Sequence, residues 1–342
     1  MRTLAERYVR REPCRRLSVV SVTAGGDTRM TIRMLAIAMG IAVSCSAVLA
    51  ASKLGFPLDD ALVPAKEIVR GGPQKDGIPS LDDPKFVVAG DAAFLKPKDR
   101  VLGISYNGVA RAYPIKILNY HEIVNDVLNG EAVVVTYCPL CGSGMAFEST
   151  FDGIRLQFGV SGLLYNSDVL MYDRNSQSLW SQIKSMAISG PAKGMRLQSL
   201  PISHTSWKEW RHRFPETEVL TTNTGFRRDY RVDPYPNYSN SGKLYFPVSQ
   251  SSNLYKRKEV VLGLEIRDQF KAYPFEELKK RQAQFIDEFM DIQFTVYFDE
   301  ENKTARIVDE DGTEIATTLV FWFAWYAFHP DTKIYTVDGT GD

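Results

Sequence analysis

Two blocks of the sequence occur twice in the same order, and this repetition constrains the fold more than any other feature. "VLGISYNGVARAYPIKIL" begins at Val101 and "VLGLEIRDQFKAYPFEEL" begins 160 residues later at Val261. A Trp-x-x-Trp pair followed by proline and threonine begins at Trp207 and again at Trp322. Four of the five tryptophans belong to this second block, so coincidence is a poor explanation. The chain is predicted to hold two tandem copies of one unit.

The copies differ in length and in chemistry. The Trp blocks are separated by 115 residues and the Val-Leu-Gly blocks by 160, so the second copy is 45 residues shorter. We assign residues 86–222 to a functional repeat that carries the cysteines and residues 259–338 to a degenerate second repeat. Residues 52–85 and 223–258, rich in Pro, Gly, Tyr and Asn, are predicted to be linkers. At the 160-residue spacing Cys138 corresponds to Phe298, so the second copy lacks the cysteine site.

Short strand patterns predominate in both copies. "VLGISY" and "VARAYP" flank Asn107-Gly108, a strong signal for a two-residue hairpin. Helical patterns are confined to short pieces such as "SWKEWRHRF". The predicted fold class is α+β and β-rich, as two tandem related units of which the second is shorter. No glycine-rich phosphate loop stands between a strand and a helix, which argues against nucleotide chemistry.

The N-terminal 51 residues are typical of a leader. A basic segment precedes an apolar stretch from Met34 to Ala51, with the small residues Val48 and Ala50 placed for signal-peptidase cleavage. The protein is therefore expected to be exported to the periplasm or cell envelope. The alternative is an uncleaved anchor over residues 34–51, which would be the only contact with a membrane.

The charge balance bears on partners. Lys plus Arg and Asp plus Glu number 41 each, and the formal net charge is zero. This balance gives no electrostatic attraction to nucleic acid, and we expect none to bind. A small molecule or a metal ion is the expected partner, and no pattern points to a particular protein partner.

The sequence C-P-L-C-G places Cys138 and Cys141 two residues apart. Proline after the first cysteine and glycine after the second favour a tight turn with both sulfurs facing one point, as in a metal knuckle. His121 lies upstream in the same repeat and completes a possible three-ligand set with one open position, a pattern of catalytic or ligand-binding metals. Thiolate ligands favour zinc or copper over magnesium or calcium.

Two other interpretations of the cysteine pair stay open. A thiol–disulfide oxidoreductase requires a thiol of lowered pKa, usually at a helix N-terminus, but "GSGMAFES" after Cys141 has no helical pattern. The third interpretation is a local disulfide that braces a turn in a non-enzymatic envelope module that binds a ligand.

A second polar stretch, "SGLLYNSDVLMYDRNSQSLWSQ", follows the cysteines. If residues 164–173 form one strand, carboxylates and phenols project from both of its faces, where they suit proton transfer or substrate binding. Arg174 is expected to pair with Asp173 or Asp168. A solvated edge strand is the competing interpretation. The candidate catalytic residues are Asp168, Asp173 and Tyr165, and the candidate pocket residues are Asn166, Arg174, Trp180 and Gln182.

Five motifs in order carry a family resemblance: "HEIVND", "VTYCPLCGSGMAF", "FGVSGLLYNSDVLMYDR", "SLWSQ" and "FAWYAFHPDT". Together they resemble a bacterial and archaeal domain family of unknown function, family 3179. The resemblance implies an exported protein in which His121, both cysteines, the patch at 165–174 and the segment 180–182 are family features. It implies no activity. The leading hypothesis is thus a mononuclear metal site at Cys138, Cys141 and His121 beside a polar pocket, with catalysis left undecided.

Overall fold

The repeated Val-Leu-Gly and Ala-Tyr-Pro runs form β-hairpins. In a computed structural model, which describes residues 52–339, Val101 to Tyr106 and Val109 to Pro114 pair as antiparallel strands. Asn107 and Gly108 between them both have positive φ angles, 48° and 78°. These angles belong to a type I′ turn, whose twist matches that of the flanking strands. The predicted hairpin at Asn107-Gly108 is confirmed.

The described residues contain many short strands and few helices. The strands are β1 (Ser52–Lys53), β2 (Phe56–Pro57), β3 (Ile68–Arg70), β4 (Phe86–Val88), β5 (Arg100–Tyr106), β6 (Val109–Pro114), β7 (Ile123–Leu128), β8 (Glu131–Cys138), β9 (Ser143–Glu148), β10 (Thr150–Phe151), β11 (Ile154–Arg155), β12 (Phe158–Tyr165), β13 (Asp168–Asp173), β14 (Leu179–Ser181), β15 (Met186–Ser189), β16 (Ser199–Leu200), β17 (Ser203–Ser206), β18 (Glu218–Leu220), β19 (Val260–Ile266), β20 (Gln269–Pro274), β21 (Gln284–Phe289), β22 (Ile292–Asp299), β23 (Thr304–Val308), β24 (Glu314–Ile315), β25 (Thr317–Phe321) and β26 (Lys333–Ile334). The α-helices are α1 (Ile115–His121), α2 (Trp207–Arg213), α3 (Phe275–Leu278) and α4 (Trp322–Phe328), with one 3₁₀ turn at Ala89–Asp91.

Five of the sheets are arranged as a five-bladed β-propeller. Blade 1 has the strand order β17-β5-β6-β18-β4, and blade 2 has the order β16-β9-β8-β7. Blade 3 has the order β15-β14-β13-β12-β3, blade 4 the order β25-β19-β20-β26, and blade 5 the order β21-β22-β23-β24. The strands β1-β2 and β10-β11 form separate small hairpins. The β-rich character expected from the sequence is confirmed, and the blades replace the pair of α+β units that we predicted.

The first four strands of blade 1 are arranged as the four strands of blade 4 are. In each, a hairpin (β5-β6 or β19-β20) pairs with an antiparallel strand on one side and a parallel strand on the other. The Trp-x-x-Trp helices follow equivalent strands, and in each the second tryptophan donates its indole N–H to a threonine: Trp210 to Thr217 at 2.9 Å and Trp325 to Thr332 at 3.0 Å. An internal duplication predicts such matched contacts. The duplication itself stays a prediction.

The two segments that we predicted as linkers belong to the folded unit. Residues 52–339 form one compact unit. The segment 52–85 supplies β3, which pairs with β12, and Ile68 in it is fully buried. The segment 223–258 holds no strand or helix but buries Tyr230 and Tyr238. Both segments thus contribute buried apolar or aromatic side chains to the compact unit.

The leader and the signal or anchor segment that we predicted over residues 1–51 lie outside the described residues. Among residues 52–339, no helix has the length and apolar character that crossing a membrane requires.

The glycines of the repeated Val-Leu-Gly runs leave space for two tryptophan rings. A Cβ atom at Gly103 would overlap the ring of Trp210, and one at Gly263 would overlap the ring of Trp325. Each tryptophan therefore lies flat against a strand whose residue must lack a side chain. Both rings are buried, at 1% and 3% exposure.

Gly263→Ala is expected to destabilise the fold by about 1–3 kcal/mol because the new methyl group overpacks the Trp325 site. Chemical denaturation of the wild type and the variant measures the difference. Gly90→Ala is the control, since a Cβ there meets nothing within 4 Å and should change stability by less than about 0.5 kcal/mol. Equal stabilities for Gly263→Ala and wild type would contradict the packing described.

Candidate metal centre

The C-P-L-C-G stretch is the turn of the β8–β9 hairpin. Cys138 ends β8 and pairs with Ser143, the first residue of β9. Gly142 has a φ of 64°, and a Cβ atom there would lie 3.0 Å from the Phe321 ring, so the position needs glycine for two reasons. The amide of Phe321 in blade 4 donates a hydrogen bond of 2.8 Å to the Cys141 carbonyl. The turn is therefore held from both sides, and both thiols are buried and free.

Asp168 reaches the cysteines from blade 3. Residues 164–173 do not form the single strand that we considered, because Asn166 and Ser167 have φ angles of 52° and 64° and make a tight turn between β12 and β13. Asp168 is the first residue after that turn. The carbonyl of Ser167 lies 3.4 Å from Cys141 Sγ and 3.8 Å from Cys138 Sγ. The hairpin tips of blades 2 and 3 thus meet at this point.

The ligand atoms of Cys138, Cys141 and Asp168 all lie within 4.8 Å of one another. None of the three residues is more than 2% exposed. Asp168 Oδ2 accepts a hydrogen bond of 3.2 Å from the Ile183 amide, whereas Oδ1 is buried without any hydrogen-bond partner. Leaving a buried carboxylate oxygen unpaired is costly, and a cation bound between the sulfurs and Oδ1 would satisfy it. The residues present therefore fit a metal ion.

Burial dominates the electrostatics of the cluster. Loss of solvation raises the pKa of Asp168 to about 7, partly offset by backbone N–H groups. Burial likewise raises the pKa of Cys138, and it holds the pKa of Cys141 well above its usual value. These thiols are thus poor thiolates in the metal-free protein, the opposite of a reactive redox cysteine. The lowered pKa that the oxidoreductase interpretation requires is not what this environment produces.

Glu122 is a fourth acidic group at the cluster. It is 7% exposed, and burial together with the charge of Asp168 raises its pKa to about 8. Glu122 follows the last residue of α1 with a φ of 58°, a left-handed conformation uncommon for glutamate. None of the ion pairs formed by residues 52–339 involves Glu122 or Asp168. Sequence reasoning missed Glu122 because the adjacent histidine is the more familiar ligand.

His121 is not brought to the cluster. Its Nδ1 lies 2.8 Å from the Pro79 carbonyl and its Nε2 lies 2.7 Å from the Tyr230 hydroxyl. Its ring also contacts Phe226 and Tyr230. Both ring nitrogens are therefore occupied by protein partners, and burial lowers the pKa of the ring. Asp168, expected to be a catalytic residue, takes the place that we had assigned to His121.

Asp173 has a structural environment. Its carboxylate accepts hydrogen bonds from Ser176 Oγ at 2.6 Å and from the indole N–H of Trp180 at 2.8 Å. Trp180 is fully buried and packs edge-on against Phe158. These two residues therefore fix the turn between β13 and β14.

Arg174 and Tyr165 also lie apart from the cluster. Arg174 pairs with Asp76 and Asp82, each at 3.4 Å, and not with Asp173 or Asp168 as we expected. Tyr165 packs edge-on against Phe328, with its ring centroid 5.4 Å away. Both side chains join elements of the fold rather than line one pocket with Asp168.

Asn166 and Gln182 brace the cluster. The Asn166 side chain donates to the Ala327 carbonyl at 3.1 Å and accepts from the Ser249 amide at 2.7 Å. Gln182 accepts from Ser143 Oγ and donates to Thr136 Oγ1, both at 2.8 Å. Through these contacts the hairpin tip that carries Asp168 and the hairpin that carries the cysteines are each fixed to a neighbouring element.

The segment 223–258 covers the cluster with tyrosines. Tyr238 is buried in the same core cluster as Cys138 and Cys141, and Tyr235 packs against that cluster. Burial raises the pKa values of both tyrosines, with smaller contributions from Glu122 and Cys138 at Tyr235 and from the two cysteines at Tyr238. The Tyr238 hydroxyl is buried without a hydrogen-bond partner. Ser167 Oγ donates to the Phe246 carbonyl at 2.7 Å and so attaches this segment to the tip of blade 3.

A cavity of about 220 Å³ borders the cluster. Leu140, which lies between the cysteines, and Val169, which follows Asp168, both line it. Glu122 is its one carboxylate, and the other side chains are apolar or aromatic. The pocket beside the cysteines is thus largely apolar. Arg174, Trp180 and Gln182, which we predicted to line a pocket, do not line this one.

The chain belongs to a protein family of unknown function, DUF3179, whose model matches residues 75–332. This match confirms the resemblance drawn from the motifs. Comparisons with curated proteins and with solved structures each returned no match. The matched range includes the cysteine turn, Asp168, Glu122 and the covering tyrosine segment.

The raised pKa values predict how the metal-free protein responds to pH. Folded Asp168 and Glu122 keep their protons to about pH 7 and about pH 8, whereas the unfolded chain releases them near pH 4. The folded state therefore binds more protons, and these groups lower stability as pH rises from about 4 to 7, by up to about 1.4 kcal/mol per pH unit for each group.

Chelator-treated protein measured by urea denaturation across this range should show that decline. The variant Asp168→Asn with Glu122→Gln should show a shallower decline, because other groups titrate equally in both proteins. Parallel profiles for the two proteins would contradict the raised pKa values.

Proposed function

We propose that this protein is a metal-binding protein whose ligands are Cys138, Cys141 and Asp168. The observation that carries the proposal is the unpaired Oδ1 of a fully buried Asp168 beside two buried thiols, with no ion pair to Asp168 from the described residues. A dication balances two thiolates and a carboxylate to within one charge. Ionised groups that are unfavourable in an apolar site become favourable ligands once the cation binds.

Zinc suits this set of ligands best. Two sulfurs and one carboxylate oxygen combine soft and hard donors, which a borderline ion accepts, whereas copper(I) favours the sulfurs alone. Three protein ligands leave a fourth tetrahedral position open. An open position supports ligand binding or Lewis-acid catalysis at the metal rather than a purely structural role.

The alternatives have less support. A thiol–disulfide oxidoreductase needs a stabilised thiolate, but the cysteines lie in a buried β-turn that raises their pKa values. A bracing disulfide would not account for a carboxylate aimed at the same point. Export to the periplasm or envelope remains part of the proposal, supported by the sequence of residues 1–51 alone.

Elemental analysis of the untagged protein by mass spectrometry tests the proposal. We expect roughly one zinc per chain. Cys138→Ser, Cys141→Ser and Asp168→Asn should each weaken retention by more than the roughly 10–100-fold typical of losing an outer hydrogen bond to a metal ligand. In the wild type, cobalt(II) substitution should produce thiolate-to-metal charge-transfer absorption.

Two control variants sharpen this experiment. His121→Gln and Asp173→Asn should keep the metal, because their side chains bond to other groups. Loss of metal in His121→Gln with retention in Asp168→Asn would return the site to a Cys/Cys/His set. Absence of metal from the wild type, including after incubation with zinc or copper(I), would refute the proposal.

A further inference from the structure

The cavity beside the cluster has an unpaired acidic group in an otherwise apolar wall. Glu122 is more than nine-tenths buried and faces a space of about 220 Å³. Within the described part of the chain, no side-chain hydrogen bond or ion pair involves its carboxyl group. A mostly buried carboxyl group without a protein partner is poorly solvated, so a ligand that pairs with it in the cavity would be stabilised.

The size of the cavity limits the ligand to a small molecule. A cavity of roughly 150 Å³ lined by apolar side chains accommodates benzene. The present cavity therefore has room for a ring or short chain that carries one polar group. Tyr245 lines the cavity and is 56% exposed, so the cavity reaches the protein surface at that residue.

The walls favour a positively charged polar group. Tyr235, Tyr245 and Phe246 supply aromatic rings, whose faces attract ammonium groups. Leu164 and Val169 supply aliphatic surface for an apolar body. An ammonium group donates hydrogen bonds to a carboxylate, and it would be the positively charged partner that Glu122 does not have within the described part of the chain.

We propose that this cavity binds a small primary amine with an apolar body, whose ammonium group pairs with Glu122. The inference rests on the proposed function in one respect: the bound amine would lie beside the open coordination position of the proposed metal. Glu122, and not the metal, supplies the charge recognition. The amine site and the metal site can therefore fail separately.

Three probes of nearly equal shape and different charge test the proposal: benzylamine, benzyl alcohol and benzoate. Calorimetric titration of the full protein should give the tightest binding for benzylamine, at least about tenfold weaker binding for benzyl alcohol, and none for benzoate. Metal content is measured on the same samples. The preference for benzylamine should persist after chelation, since it comes from Glu122.

Glu122→Gln keeps the shape and removes the carboxyl group that would ionise against an ammonium group, so it should bring benzylamine to within a few-fold of benzyl alcohol while the metal content stays unchanged. Glu265→Gln, a variant of a carboxylate distant in sequence that pairs with Arg196, is the matched control and should bind benzylamine as the wild type does. A melting curve reports whether each variant folds.

Several outcomes would overturn the proposal. Benzyl alcohol binding as tightly as benzylamine to the wild type would show a neutral ligand site, and this comparison needs no variant. Failure of all three probes to bind would show that the cavity takes no such ligand. Loss of metal in Glu122→Gln would make Glu122 a fourth metal ligand and not an amine partner. If the protein held no metal but still preferred benzylamine, the metal centre would be refuted and the amine site would stand.

Discussion

The burial of acidic groups that have no positively charged partner is the constraint on which this site depends. Cys138, Cys141, Asp168 and Glu122 share one water-poor region, and no ion pair in the described part of the chain neutralises either carboxylate. Burying even one isolated ionised group is costly. A protein can hold such a cluster only if the groups stay protonated or a cation joins them. The raised pKa values correspond to the protonated form of the cluster. A bound dication would correspond to the ionised form.

The propeller supplies the rigidity that such a cluster needs. The cysteines occupy a hairpin turn of blade 2, Asp168 follows a hairpin turn of blade 3, and the backbone of Phe321 in blade 4 holds the cysteine turn. Each candidate ligand is thus presented by a turn at the end of paired strands. Strand pairing fixes the turns, so the approach of the sulfurs to Asp168 is set before any ion binds. Preformed ligands reduce the entropy lost on metal binding.

The sequence was most informative where local chemistry alone determines structure. Asn107-Gly108 demands a turn with two positive φ angles, and the hairpin follows from it. The paired glycines and tryptophans at 103 and 210 and at 263 and 325 recur because each ring occupies the space of a missing side chain. The same reasoning identified the cysteine turn. It also selected Asp168, although as a catalytic group and not as a neighbour of the sulfurs.

Long-range placement is where sequence reasoning failed. His121 and Glu122 are adjacent, yet the imidazole turns toward Pro79 and Tyr230, whereas Glu122, which has a positive φ angle, interacts electrostatically with Asp168. No periodic pattern marks such a reversal. The segment 223–258 was assigned as a linker because an irregular chain has no hydrophobic period, yet its Tyr235 and Tyr238 pack with the core cluster that holds the cysteines.

The two copies expected from the sequence would differ in their chemistry. The shorter second copy has no counterpart of the "FGVSGLLYNSDVLMYDRNSQSLWSQI" stretch, which forms β12, β13 and β14 of blade 3. At the 160-residue spacing, Phe298 of β22 corresponds to Cys138. Phe298 packs instead against Phe275, with ring centroids 5.0 Å apart. The position that corresponds to a buried cysteine in the predicted first copy is thus filled by an apolar contact in the predicted second copy, and such a contact needs no cation to neutralise it.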